Sequence, residues 1–128
     1  MAIGRDARDR LAIERIDHVA INVTDVARAR GFYEGVLGLM EVPRPRSFDF
    51  PGVWYRLGNM DLHLVGRSAA DAESKRHFAF WVADVHAAAR IMQAAGYPVN
   101  WEAHKIDGVE RFFVADPDRN RLEFQGPD

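Results

Sequence analysis

"HVAINVTDVARA" (His18–Ala29) and "HFAFWVADVHAA" (His77–Ala88) are one phrase written twice. At an offset of 59 residues (77 − 18), six of the twelve positions are identical: His18/His77, Ala20/Ala79, Val23/Val82, Asp25/Asp84, Val26/Val85 and Ala29/Ala88. In the first copy Val19, Ile21 and Val23 alternate with His18, Ala20 and Asn22, the period-two pattern of a strand with one apolar face. Asp25 then stands where a helix cap belongs, and Val26, Ala29, Phe32, Tyr33 and Val36 follow at helical spacing up to Gly38. The second copy repeats the plan, with Phe78, Phe80 and Val82 on the strand face, Asp84 as cap, and Val85, Ala88, Ile91, Met92 and Ala95 before Gly96. Each strand's apolar face is expected to pack beneath its own helix. The face bearing His18 or His77 must then look elsewhere.

Three further strand-like segments follow each helix. In the first half they lie near Leu39–Pro43, Val53–Leu57 and Asp61–Val65, the last two joined by "GNMD"; in the second, near Pro98–Trp101, Glu110–Ala115 and Arg121–Gln125, with "DPDRN" as the hairpin. Each half reads βαβββ. The expected fold is therefore α+β: two βαβββ modules forming a cupped, barrel-like mixed sheet with the helices outside. We expect a single domain over 1–128, with an N-terminal extension at 1–13, module 1 at about 14–67 and module 2 at about 76–126. "GRSAADAESKR" is the polar linker between the modules. The longer loops "RPRSFDFPG" and "EAHKIDG" are where substrate contacts are expected.

A second matching pair completes the pattern. "DLHLV" (Asp61–Val65) meets "RLEFQ" (Arg121–Gln125) at an offset of 60 (123 − 63), which aligns His63 with Glu123. Leu62 and Leu64 point away from His63, and Leu122 and Phe124 away from Glu123. His18, His63, His77 and Glu123 thus all lie opposite the apolar faces of their strands. If both sheets curl into half-barrels, the four donors converge on a divalent-metal site. The chain has no Cys, so such a metal would be held by nitrogen and oxygen alone, a set compatible with Zn, Fe(II), Mn, Ni or Co. Seventeen basic and nineteen acidic residues, mixed along the chain, leave no electrostatic footprint for nucleic acid. No stretch approaches the roughly 20 apolar residues that span a bilayer, and the charged N-terminal segment does not read as a secretory signal, so a cytoplasmic protein with a small-molecule or protein partner is expected.

With these residues in view the chain resembles the vicinal oxygen chelate superfamily, which includes glyoxalase I, extradiol dioxygenases, fosfomycin-resistance transferases, methylmalonyl-CoA epimerase and bleomycin-resistance proteins. The resemblance runs from Arg15 to Gln125 and rests on "IDHVAINVTD", "FYEGVLGL", "RHFAFWVAD" and "RFFVADPDRNRLEF". It implies metal ligands at His18, His63, His77 and Glu123, a substrate whose adjacent oxygens chelate the metal, and a homodimer. His63 stands where glyoxalase I has Glu, so Glu123 is the one carboxylate available as catalytic base. The turn "DPDRN" has Arg119 where the family has Gly, a position suited to positive φ.

The function implied is a metal-dependent lyase or isomerase of the glyoxalase type, acting on a small oxygenated substrate. Two alternatives stand beside it. One is an extradiol-type ring-cleaving dioxygenase, since His18, His77 and Glu123 form a 2-His-1-carboxylate set suited to Fe(II). The other is a metal-free protein that binds a drug or metabolite, as bleomycin-resistance proteins do. The site is expected either within one chain or shared across a dimer. His86 and His104 read as solvated, and Arg44, Arg46, Lys105 and Arg111 as scattered surface cations rather than substrate anchors. Trp54, Trp81 and Trp101 fit core packing or dimer contacts as well as a pocket wall.

Overall fold

The computed structural model describes residues 11–128; of the expected N-terminal extension, 1–10 lie outside the described residues. The elements run β1 (His18–Val23), α1 (Val26–Arg30), β2 (Met40–Val42), β3 (Gly52–Leu57), β4 (Met60–Gly66), then β5 (His77–Trp81), α2 (Val85–Ala94), β6 (Asn100–Trp101), β7 (Val109–Ala115) and β8 (Arg121–Pro127). Each half is βαβββ, as the repeat indicated. They form two four-stranded mixed sheets, β1-β4-β3-β2 and β5-β8-β7-β6, cupped rather than closed. In each sheet the first strand pairs parallel with the last, and the other pairings are antiparallel.

The caps are those expected. Asp25 accepts from the Arg28 amide at 3.0 Å and Asp84 from the Ala87 amide at 2.9 Å, while Gly38 and Gly96 take φ of 74° and 89°. The first helix departs from the simple expectation. Beyond Arg30 it widens into π-helical turns over Gly31–Val36, with the Leu37 amide bonded to the Phe32 carbonyl five residues back at 2.9 Å. This places the neighbours Phe32 and Tyr33 both in the core. Glu34 is held there by Tyr55 Oη and Arg30, each at 2.7 Å, and Arg30 also reaches Glu41 on β2.

One apolar cluster spans both modules. It joins Val23, Phe32, Tyr55, Leu62 and Leu64 of the first to Val85, Met92, Phe112, Leu122 and Phe124 of the second. Burying a side chain of that size stabilises by about 1.5–3 kcal/mol. The "DPDRN" turn does more than reverse the chain. Asp118 Oδ1 accepts from Thr24 Oγ1 at 2.6 Å and from Arg28 at 2.9 Å, and Asp116 Oδ2 accepts from Tyr33 Oη at 2.7 Å. Asn120 Nδ2 donates to the Asn22 carbonyl at 2.9 Å. The hairpin of module 2 therefore clamps the end of β1 and the first helix of module 1. Arg119 adopts φ of 66°, the left-handed conformation its position demands.

Candidate functional site

The open face of the first sheet is built from alternate residues of β1, β3 and β4. Leu62 and Leu64 enter the core, so His63 must stand on the opposite side, where the pairing sets it across from Ala20 and Trp54. Its ring lies between two others: Trp54 at 3.9 Å and 4° on one side, His18 at 4.3 Å and 17° on the other. His63 is only 9 % exposed. Burial, then the nearby His18, lowers its pKa below the ordinary value near 6.5, so the ring is neutral at neutral pH. Its Nε2 is buried without a hydrogen-bond partner, since Asp61 Oδ2 lies 3.7 Å away. His18 is more open, and its Nδ1 is 2.9 Å from Asp17 Oδ2. Bonding to His18 and Arg15 holds the Asp17 carboxyl below its usual range.

The second sheet offers the matching face. Leu122 and Phe124 are core residues, and Glu123 stands opposite them, across from Ala79 and Phe113. It is 4 % exposed, with Oε1 3.0 Å from His77 Nε2 and Oε2 accepting from Arg111 Nη1 at 3.2 Å. His77 Nδ1 is 2.9 Å from the Lys75 carbonyl, an acceptor only, and 3.4 Å from Arg121 Nη1, a donor only; the shorter contact favours the proton on Nδ1. A neutral His77 then turns its Nε2 lone pair toward a carboxylate lone pair. Two such acceptors at 3.0 Å call for a proton or a cation between them.

The four expected donors are thus brought together as two pairs, His18 with His63 and His77 with Glu123, one on each sheet. Among the described residues, no three His, Cys, Asp or Glu side chains converge on a common point. The donor chemistry fits a divalent ion. His63 has an orphaned buried nitrogen, and the Nδ1 atoms of His18 and His77 are bonded to oxygen, the outer support that metal-ligating imidazoles require.

Two arginines differ from the expectation, and one tryptophan takes a reading left open. Arg111 is no scattered surface cation: it lies on the open face beside Glu123, 18 % exposed. Its parity with Phe113 along "RFF", opposite the core residue Phe112, carried that information. Trp54, for which a pocket wall was one of the open readings, is the ring stacked on His63. Arg44 packs over Phe48 and Phe50 at 5.4 and 5.0 Å and donates to the Phe50 carbonyl, bracing the loop "RPRSFDFPG". His86 and His104 are exposed, as expected, and each is paired, with Glu110 and Glu102 respectively. Bonds from the His104 amide and ring press the Glu102 carboxyl down to about 2.

Comparison with known proteins agrees with this architecture. Residues 15–124 match the family model of the Glyoxalase/Bleomycin resistance protein/Dioxygenase superfamily. A lactoylglutathione lyase of Haemophilus influenzae is 29 % identical over 126 residues, covering 86 % of this chain and 90 % of that protein. Glyoxylase I 4 of Arabidopsis thaliana is 32 % identical over 60 residues, which span 47 % of this chain and 34 % of that longer protein. Among solved structures, a glyoxalase family protein from Bacillus anthracis superposes with a TM-score of 0.84 at 30 % identity, covering 93 % of this chain and 99 % of that one. The fosfomycin resistance protein FosX of Listeria monocytogenes, in a mutant form complexed with Mn(II) and a dihydroxypropylphosphonic acid, shares the fold at 14 % identity. Its TM-score is 0.79, with coverage of 91 % of this chain and 94 % of that one.

Proposed function

The chain belongs to the Glyoxalase/Bleomycin resistance protein/Dioxygenase superfamily, and from that premise we propose that it is a metal-dependent lyase or isomerase of the glyoxalase type. Its substrate is a small molecule with adjacent oxygens. His18, His63, His77 and Glu123 would hold the divalent ion. The observation that carries this reading is the state of the donors: an unpartnered buried Nε2 on His63, and a His77 Nε2 facing Glu123 Oε1 at 3.0 Å.

When bound, the ion supplies Lewis-acid polarisation of a substrate oxygen. The chain's own residues do the rest. His63, pinned between Trp54 and His18, offers its nitrogen in one fixed direction. Glu123, buried and turning Oε1 to His77, is the carboxylate placed to take up and return a proton at Oε2, a role worth roughly 10² to 10⁴ in rate. The sheet's open face excludes water from the reacting atoms only when it is covered.

Cover comes from a second copy. Each protomer carries two half-sites on different sheets, and β1 and β5 are both edge strands whose outer edges are unpaired among the described residues. Ile16 and Trp81 stand 66 % and 62 % exposed at the ends of those edges. A C2 homodimer that sets His18 and His63 of one copy against His77 and Glu123 of the other completes two equivalent sites. The test is elemental analysis of untagged protein together with mixing of His18→Ala and Glu123→Ala chains. About one divalent ion per chain, lost in each variant and restored to about a quarter in an equal mixture, where half of the dimers are mixed and each of those has one intact site of two, supports a shared metal site. Native protein without metal, and without uptake of Zn, Fe(II), Mn, Ni or Co, rejects it.

A second reading is favoured by one observation. Arg111 already supplies Glu123 with a cationic partner at 3.2 Å, an arrangement suited to a metal-free protein that binds a drug or metabolite. Native protein without metal would select it.

A further inference from the structure

Besides His77 and Glu123, the open face of the second sheet carries two guanidinium groups in quite different states. Arg121 is engaged: its guanidinium lies 3.7 Å over the Phe113 ring, and Nη1 donates to the Lys75 carbonyl at 3.1 Å. Arg111 is not. Nη1 makes a single 3.2 Å bond to Glu123, Nη2 donates to the His104 carbonyl at 3.0 Å, and Nε is buried with no partner. A guanidinium binds an oxyanion best side-on, through two parallel N–H bonds. Here that edge, Nε with Nη2, has an orphaned N–H on one side and a single bond to a backbone carbonyl on the other, while Nη1 holds Glu123 by one long contact. The charge balance favours an incoming anion as well. Among the described residues, Arg111 and Arg121 stand against the carboxylate of Glu123 on this face, while nearby Glu102 is committed to His104 at 2.8 and 2.9 Å.

We propose that Arg111 is an oxyanion-binding residue whose engagement by ligand releases Glu123. A carboxylate, phosphate or phosphonate group on the substrate takes the side-on edge of Arg111, satisfies Nε, and draws Nη1 away from the Glu123 carboxylate. Glu123 then loses its internal counter-cation only when an anionic molecule occupies the face. A neutral molecule of the same shape leaves the carboxylate paired. Arg111 thereby selects for charge and ties that selection to the residue that moves the proton. The inference rests on the reading that the open face of the second sheet receives the substrate; it does not need the metal.

The test uses the full chain freed of metal with a chelator, labelled with ¹³C at the glutamate carboxyl, the Glu123 resonance being identified by its absence in Glu123→Gln. Inorganic phosphate, methylphosphonate, acetate and the neutral acetamide are titrated by calorimetry and followed by NMR. In the wild-type chain at least one oxyanion binds, acetamide does not, and the Glu123 resonance shifts on binding. Arg111→Met weakens that binding by about tenfold to a hundredfold, and Arg111→Lys, which keeps the charge and the fold but not the fork, weakens it by less. Arg90→Met, on the exposed side of α2, leaves it unchanged. The strongest of the three oxyanions identifies the group. Binding equal in wild type and Arg111→Lys and Arg111→Met, binding that leaves Glu123 unmoved, or no binding to wild type would overturn the proposal. Parallel aliquots titrated with Mn and Zn separate the two ideas. Arg111-dependent oxyanion binding without metal uptake supports the anchor and rejects the metal reading. Metal uptake with Arg111-independent oxyanion binding does the reverse.

Discussion

Replacing Asp116 should strike the junction between the two modules. The carboxylate is 4 % exposed and accepts four bonds: Oδ1 from the Asp118 and Asn120 amides at 2.9 and 2.8 Å, Oδ2 from Tyr33 Oη at 2.7 Å and Asn120 Nδ2 at 2.9 Å. In Asp116→Asn the new NH2 group can only donate. Placed at the Oδ1 position it would confront two backbone amides. Placed at Oδ2 it loses only the Asn120 contact, because the Tyr33 hydroxyl can turn round and accept. The second orientation wins, and the loss is about 1–3 kcal/mol for one charge-assisted bond. Asp116→Ala leaves all four donors without a partner, on the order of 4–6 kcal/mol after partial relaxation. A 128-residue domain is typically stable by roughly 6–19 kcal/mol, so the alanine variant stands near the edge of folding while the asparagine variant folds. Tyr33→Phe, which removes a single bond, should fall near ~1.5 kcal/mol. Urea denaturation followed by circular dichroism gives all three values, and the Tyr33→Phe/Asp116→Asn double variant should lose less than the sum. If both Asp116 variants came within about 0.5 kcal/mol of wild type, the hairpin would not be a clamp between the modules.

Other consequences follow from single residues. His63 has its folded pKa lowered by burial, so its contribution is fully present above the unfolded value near 6.5 and is lost as pH falls through the lower folded value. Urea midpoints of wild type should therefore drop across that window more steeply than those of His63→Phe; parallel curves would refute the assignment. At Gly126 a Cβ would overlap the Val82 carbonyl oxygen and press on Val85 Cγ2 at 2.8 Å, so Gly126→Ala should cost about 2 kcal/mol or more, and an unchanged melting temperature would contradict the packing of β8 on α2. Arg119→Gly relieves a left-handed residue at φ of 66° while giving up only an exposed ion pair with Glu73. It should stabilise by about 0.5–1 kcal/mol in the same assay, whereas destabilisation would place the Glu73 contact above the strain.

Much of the fold could be read directly from residue order, because periodicity is local. The alternation in "HVAINV" and the cap at Asp25 depend on neighbours one to four positions away, and the 59-residue offset repeated them in the second half. Side-chain parity likewise put His18, His63, His77 and Glu123 opposite the core. The widened turns over Gly31–Val36 were not legible: a π-helical hydrogen bond depends on which side chains the sheet beneath accepts, and Phe32 and Tyr33 both had a place there. Nor was the role of "DPDRN", whose partners Thr24, Arg28 and Tyr33 lie more than 80 residues away.

Residue order alone carries the βαβββ repeat, the mixed α+β architecture and the identity and facing of the four candidate donors, since each follows from short-range pattern and strand parity. The grouping of those donors arises from the three-dimensional packing. The cupping of two separate sheets sets them in pairs, His18 stacked on His63 and His77 against Glu123. It also put Arg111 at Glu123 and Trp54 against His63, contacts that arise because neighbouring strands bring distant residues into register. Register and curvature are long-range properties, determined by packing across both modules, and no window of sequence contains them.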